Sequence, residues 1–95
     1  MIRSIRYSLK AVQDFDSIQT QLGDYNGDLA DKHAIRLTAA IRKLAFEATI
    51  WSFFFLTGAP YRAKLFEIGR ASFWIVYRID EATEAIEILR IWNSR

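Results

Sequence analysis

Three apolar runs separated by short polar breaks fill the last third of the chain. The runs are rich in Ile, Leu, Val, Phe, Tyr and Trp, and they span about Tyr61–Ile68, Ala71–Ile79 and Ala85–Trp92. Loops as short as these breaks join antiparallel neighbours but cannot make the crossover that parallel strands need. The pattern therefore predicts three consecutive antiparallel strands that form a meander.

The first part of the chain begins with a short strand and a helix. Ile2–Tyr7 carries two isoleucines and a tyrosine, which predicts a first strand. Leu9–Leu22 then places apolar residues at helical spacing, and the Ser8 hydroxyl can cap that helix by accepting from a first-turn amide. Gly23–Asp28 is rich in Gly, Asn and Asp, so we expect it to end the helix and reverse the chain.

A second helix follows, with a predicted cap at Asp28 and an end near Ala48. Its expected buried stripe consists of Ala30, Ala34, Leu37, Ile41 and Leu44. The two helices form an antiparallel hairpin whose apolar faces need a cover, and the sheet provides one. We therefore predict an α+β fold of two layers in the order β-α-α-β-β-β, with the helix hairpin on one face of a small, mainly antiparallel sheet. All 95 residues are expected to form one domain.

Composition excludes several kinds of site. The chain has no cysteine, so it can form neither a disulfide nor a thiolate metal site, and its single histidine, His33, favours a structural role over a metal site or a catalytic triad. The four glycines are scattered and form no phosphate loop, so we expect no cofactor. No apolar run is long enough to span a membrane, which predicts a cytoplasmic protein without a membrane partner. A net charge of +2 is compatible with an acidic partner or nucleic acid.

An aromatic segment, Thr49–Pro60, links the hairpin to the meander. It contains Trp51 and the run Phe53, Phe54 and Phe55. One interpretation is a short strand or lid over the end of the core, because aromatic residues are mostly buried. The other is an exposed apolar patch that binds a protein partner. The sequence leaves both interpretations open.

Basic residues are frequent on the predicted meander. Arg62 and Lys64 lie two apart on one strand, so their side chains leave the same face of the sheet. Burying two unpaired cations would cost several kcal/mol, and we therefore place both on the face without helices. Flat neighbours expected there are Trp74, Tyr77 and Trp92. Such a face suits contacts to RNA or single strands, although glutamates on the same strands, Glu67, Glu84 and Glu87, can instead pair with the cations.

Four segments resemble the RelE/ParE superfamily of toxins from bacterial type II toxin–antitoxin systems. They are Tyr7–Phe15, Tyr61–Leu65, Trp74–Asp80 and Ile86–Asn93, and Leu9 stands where many members carry proline. The resemblance covers nearly the whole chain and implies one of two activities. RelE-like members cut mRNA in the ribosome, whereas ParE-like members inhibit DNA gyrase and stall replication. Both are neutralised by a cognate antitoxin that wraps an extended segment around the toxin.

The residues that the resemblance carries over favour the ParE-like branch. Arg62 and Lys64 match the basic pair of the nucleases, but Trp74 stands where the nucleases carry arginine ahead of the Leu-Val-Tyr run. Only three residues follow Trp92, and they do not supply the C-terminal tyrosine of the nucleases or another credible base. We therefore expect a gyrase-inhibiting binder, with a ribosome-dependent mRNA endonuclease as the alternative. A third hypothesis is a non-toxic module that binds an antitoxin or dimerises.

The expected sites follow from this assignment. No catalytic residue, cofactor or metal is predicted. The expected target-binding residues, for DNA gyrase or for the ribosome and mRNA, are Arg62, Lys64, Arg78, Arg90, Trp92, Asn93 and Arg95. The expected antitoxin-binding residues are Trp51, Phe53, Phe54 and Phe55. A toxin–antitoxin hetero-oligomer is the expected assembly.

Overall fold

A two-layer α+β fold is observed in the computed structural model, which describes residues 3–51 and 61–94 apart from the side chains of residues 24 and 25. Its elements are β1 (Ile5–Tyr7), α1 (Leu9–Tyr25), α2 (Gly27–Glu47), β2 (Arg62–Ile68), β3 (Ala71–Ile79) and β4 (Ile86–Asn93). The sheet order is β1-β4-β3-β2, in which β2, β3 and β4 are antiparallel and β1 lies parallel to β4. The predicted element order and mainly antiparallel sheet are confirmed.

The helices pack on one face of the sheet. Their buried residues in the core are Ala11, Leu37, Ala40, Ile41, Leu44 and, just past α2, Ala48. The sheet contributes Phe73, Ile75, Tyr77, Ile86, Ile88 and Ile91. Because neighbours along a strand point to opposite faces, residues between these positions face the side without helices. No helix in the described ranges combines the length and apolar character that a membrane crossing requires.

A single residue, Asn26, forms the connection between the helices. Its backbone N–H donates to the Leu22 carbonyl (2.7 Å), and its side-chain oxygen accepts from the Leu29 amide (3.2 Å), so it ends α1 and caps α2. The predicted boundaries at Gly23 and Asp28 are therefore wrong. One extended residue suffices to reverse the chain, and a glycine inside a helix costs only about 1 kcal/mol.

A β-bulge interrupts the pairing of β3 and β4. Val76 lies opposite Arg90 and Tyr77 lies opposite Ile88, which leaves Leu89 without a cross-strand partner. The extra residue shifts the side-chain alternation of β4. As a result Ile88 and Ile91, three positions apart, both reach the core.

Ser8 joins the start of α1 to this bulge. Its hydroxyl accepts from the Ala11 amide (3.0 Å), as predicted for a helix cap, and donates to the Leu89 carbonyl (2.8 Å). Its backbone N–H donates to the Ile88 carbonyl (2.9 Å). The hydroxyl therefore satisfies a helix end and the irregular part of a strand together.

Ser8→Ala should lower the free energy of unfolding by about 1–2 kcal/mol, because it removes the cap and leaves the Leu89 carbonyl without its donor. Ser17→Ala is the matched control, since Ser17 is exposed within α1 and alanine has the better helix propensity. Urea unfolding followed by circular dichroism measures both. Equal stabilities for the two variants would contradict this role of Ser8.

Candidate functional site

Lys64 lies on the side of the sheet that the helices cover. Its side chain is 8% exposed, its Nζ donates to the Ala40 carbonyl (3.0 Å), and it forms an ion pair with Glu47. The prediction that Arg62 and Lys64 lie on the helix-free face is therefore wrong. The prediction assumed that the two cations would be unpaired if they were buried. In the structure, α2 supplies Lys64 with the Glu47 carboxylate and the Ala40 carbonyl oxygen.

Arg62 and Tyr77 point to the same side, where they bond the backbone that follows α2. The Arg62 guanidinium donates to the Trp51 carbonyl (2.6 Å) and to the Thr49 carbonyl (3.4 Å). The Tyr77 hydroxyl donates to the Ala48 carbonyl (2.6 Å), and burial raises the pKa of Tyr77 to about 12. Tyr77 is fully buried, so its predicted place on the helix-free face is also wrong.

Trp51 completes this arrangement. Its Nε1 donates to Glu47 Oε1 (3.3 Å), its ring centroid lies 5.5 Å from Lys64 Nζ, and its side chain packs against the core. Hydrogen bonds from Lys64 and Trp51 lower the pKa of Glu47 against the opposing effect of burial. The rest of the predicted antitoxin-binding segment, Phe53–Phe55, lies outside the described residues. The helix-end cluster is defined as Glu47, Trp51, Arg62, Lys64 and Tyr77.

Arg90 is held by a carboxylate of α1. Its Nε and Nη2 donate to the two oxygens of Asp14 (2.8 and 3.0 Å), and the Ile91 amide donates to Asp14 Oδ2 (2.9 Å). β1 pairs with β4 only as far as Ile88. The Ile91 amide therefore lies at an edge of the sheet that no strand covers, and Asp14 accepts its hydrogen bond there. Burial tends to raise the pKa of Asp14, but the donors from Arg90 and Ile91 outweigh burial and lower it.

The cations on the helix-free side of the sheet are also paired. Arg78 Nε and Nη2 each lie 3.4 Å from an oxygen of Glu87, its cross-strand partner. Arg6 donates to Asp80 (3.0 Å) beside them. The predicted alternative of pairing with Glu87 is thus confirmed for Arg78. The positive charges of the strand residues Arg78 and Arg6 are therefore compensated on this face.

The middle of the helix-free face is apolar and aromatic. Leu65 lies opposite Trp74, which lies opposite Trp92 on the next strand. Trp92 remains 37% exposed, and the Arg90 guanidinium carbon lies 5.3 Å from its ring centroid. Stacking of this kind orients the arginine and keeps the indole in place.

A cleft of about 550 Å³ opens next to this row. The sheet cleft is lined by Ser8, Leu9, Lys10, Tyr61, Val76, Leu89, Arg90 and Trp92. Only two of the predicted target-binding residues, Arg90 and Trp92, line this cleft. Asn93 lies exposed beside it at the end of β4, Arg78 is outside its lining, and Arg95 is outside the described residues.

Sequence reasoning missed most of the cleft lining. Alternation along β3 could have placed Val76 on the helix-free face, because it lies two residues after Trp74, which was expected on that face. Leu89 could not have been assigned, since its position depends on the bulge. The sequence distinguishes Leu9 only as the residue that stands where many RelE/ParE members carry proline. In the structure Leu9 is 73% exposed and lines the cleft.

His33 has the structural role that the sequence favoured. It is 5% exposed, and its Nδ1 donates to the Leu29 carbonyl of the preceding helical turn (2.9 Å). Within residues 3–51 and 61–94, no three His, Cys, Asp or Glu side chains lie close enough together to hold a metal ion.

Acid should weaken the fold partly through Asp14. Its pKa is lowered from 3.8 in the folded protein, so ionised Asp14 stabilises the fold above about pH 4, and this contribution is lost as the pH falls through the lowered pKa. Asp14→Asn should therefore flatten the fall in unfolding free energy below about pH 5. Urea unfolding at a series of pH values tests this, with Asp16→Asn, at an exposed position of the same helix, as control. Identical pH slopes in wild type and Asp14→Asn would contradict it.

Solved structures share this fold. A chain of the structure described as the chromosomal ParDE TA system from P. aeruginosa superposes with a TM-score of 0.79 at 21% identity, over 99% of this chain and 98% of that chain. A chain of the toxin-antitoxin complex RelBE2 from Mycobacterium tuberculosis gives 0.58 at 18% identity, over 98% and 99%. No protein-family model matches the sequence, and no curated protein matches it either. The chain thus has the fold that its RelE/ParE resemblance predicts, and it follows the ParDE chain more closely than the RelBE2 chain.

Proposed function

We propose that this chain is the toxin of a type II toxin–antitoxin pair and that it inhibits DNA gyrase by binding. Support for the toxin class comes from the sequence resemblance together with a fold shared with chains of the ParDE and RelBE2 structures. The higher TM-score of the ParDE chain supports the ParE-like branch, for which the resemblance implies gyrase inhibition. The partners are then a cognate antitoxin and gyrase.

The contacts of Lys64 with Ala40 and Glu47 are the observation that favours binding over RNA cleavage. A nuclease of the alternative kind needs cations that meet the phosphate as charge develops. Lys64 Nζ instead bonds Ala40 and Glu47 beneath α2, and Arg62 bonds the Trp51 carbonyl. Exposing Lys64 to RNA would break a buried ion pair, which costs about 3–5 kcal/mol for a fully buried pair and less for this one, whose carboxylate is 26% exposed.

Proton transfer is the second requirement of the nuclease alternative. A general base or acid works best with a pKa near the working pH. Each carboxyl or tyrosine whose pKa departs from its usual value in the described ranges moves away from neutrality. The pKa values of Asp14, Glu47 and Asp80 are lowered, and those of Tyr7 and Tyr77 are raised. None of these five shifts therefore prepares a general acid or base for work near neutral pH.

The sheet cleft is the surface that we propose for the target. Tryptophan and arginine carry much of the energy in protein interfaces, and Arg90 and Trp92 form such a pair at the rim of an apolar cleft. Arg90 is already fixed by Asp14, so little side-chain freedom is lost when a partner binds. Asn93 is the next exposed residue along the strand and extends the proposed contact.

Pulse-labelling of DNA, RNA and protein synthesis in bacteria, in the minutes after induction without antitoxin, tests this function. DNA synthesis should fall first, and the purified chain should inhibit supercoiling by gyrase. Trp92→Ala should weaken that inhibition at least about tenfold, as expected for an interface hot spot. Ile50→Ala is the control, because Ile50 is a 74% exposed apolar residue outside the cleft lining.

An early fall in protein synthesis, with cleaved mRNA, would overturn the gyrase proposal in favour of the endonuclease. Equal supercoiling inhibition by wild type and a folded Trp92→Ala variant would leave gyrase as the target but remove the sheet cleft as its contact surface. The two results are separate because the first depends on the target and the second on the surface.

A further inference from the structure

The outward side of α2 carries an exposed surface that the proposed gyrase contact does not use. The α2 stripe is defined as Lys32, Ile35, Arg36, Arg42, Lys43 and Phe46. At 3.6 residues per turn these positions fall within about a third of the helix circumference. They lie opposite Leu37, Ile41 and Leu44, which face the core. The six stripe side chains are therefore exposed and do not form part of the core.

Two large apolar side chains of the stripe are exposed to solvent. Ile35 is 71% exposed and Phe46 is 72% exposed. A shallow groove of about 560 Å³ runs between them, lined at its centre by the smaller Thr38 and Ala39. Exposed apolar residues grouped around a groove mark contact sites more often than single ones do.

The cations of the stripe differ from those of the sheet in whether they form ion pairs. Arg6, Lys64, Arg78 and Arg90 each form an ion pair. Over residues 3–51 and 61–94, no such pair involves the stripe cations Lys32, Arg36, Arg42 and Lys43. Between Lys32 and Phe46 the helix carries these four cations and no acidic residue, so positive charge accumulates on this part of α2 and attracts an acidic partner.

The spacing of the stripe suits a helix as that partner. Ile35, Ala39, Arg42 and Phe46 are separated by four, three and four residues, which is the spacing of a coiled-coil seam. Arg36 and Lys43 each follow a seam residue, at the flanking position where a partner helix commonly presents glutamate. From Lys32 to Phe46 the stripe is about 21 Å long, which corresponds to a helix of about 14 residues.

We infer that the α2 stripe binds an acidic amphipathic helix, and that this helix belongs to the antitoxin. The inference rests on the proposed toxin–antitoxin function and specifies its partner. Phe46 and Ile35 favour a peptide over nucleic acid, because a helix with leucines on one side covers both apolar groups while its glutamates meet the cations. Phosphates would meet the cations and leave Phe46 and Ile35 in water.

Fluorescence anisotropy with the purified chain tests the inference. The probe is a labelled 18-residue helical peptide with leucine at coiled-coil spacing and glutamate at most other positions. Phe46→Ser and Arg42→Glu should each weaken its binding roughly tenfold, through loss of apolar contact and through charge repulsion respectively. Arg70→Glu is the matched control for Arg42→Glu, since Arg70 is an exposed cation at the β2–β3 turn. The control peptide has the same composition with its leucines dispersed.

The inference stands if the two stripe variants lose affinity while Arg70→Glu and wild type bind alike and the dispersed peptide binds weakly. Absence of peptide binding, equal binding by all variants, or tighter binding of an oligonucleotide of similar charge would overturn it. None of these outcomes depends on gyrase, so failure of the stripe leaves the pulse-labelling result intact. Conversely, failure of the gyrase proposal does not alter the peptide affinities.

Discussion

Side chains of β2 and β3 donate hydrogen bonds to α2 and to the backbone that follows it. Residues 48–51, just beyond α2, lie over β2 and β3, and their carbonyls need donors outside the helix. Arg62 and Tyr77 donate to the carbonyls of Trp51 and Ala48, while Lys64 donates to Ala40 and pairs with Glu47. The helix-end cluster therefore fixes the helix layer on the sheet at the point where the chain leaves α2.

These contacts determine which cations remain available to bind a partner. Two cations that could have met a ligand are used beneath α2, and the remaining sheet cations, Arg78 and Arg90, are paired with Glu87 and Asp14. The helix-free face is consequently aromatic, with Trp74 between Leu65 and the partly exposed Trp92, whereas cations without ion pairs gather on the outer side of α2. An aromatic sheet face and a cationic helix face suit two different protein partners, as a toxin with a target and an antitoxin would require.

Local pattern predicts most of this fold and little of the site. The strands of the meander and both helices follow from apolar spacing, and Ser8 was identified as a cap from its hydroxyl alone. The side on which Lys64 lies could not be predicted, because it depends on Glu47, which is distant in sequence and adjacent only after the hairpin packs on the sheet. The same holds for Leu89, whose orientation follows from a bulge, and for Asn26, which replaces a predicted six-residue turn. For Lys64 and Leu89 a tertiary hydrogen bond or packing contact overrides the local signal, whereas at Asn26 the deciding hydrogen bonds are local, to Leu22 and from Leu29.

The most direct test of the account is growth inhibition by the double variant Lys64→Met, Glu47→Gln. Methionine keeps much of the apolar volume of the lysine, and glutamine retains an acceptor for Trp51 Nε1, so the buried ion pair is removed without leaving a lone charge. If Lys64 serves only the packing of α2, the folded variant inhibits growth to within a few-fold of wild type. A variant that keeps the wild-type circular dichroism and cooperative unfolding but no longer inhibits growth would contradict the account, because Lys64 would then act on the target itself.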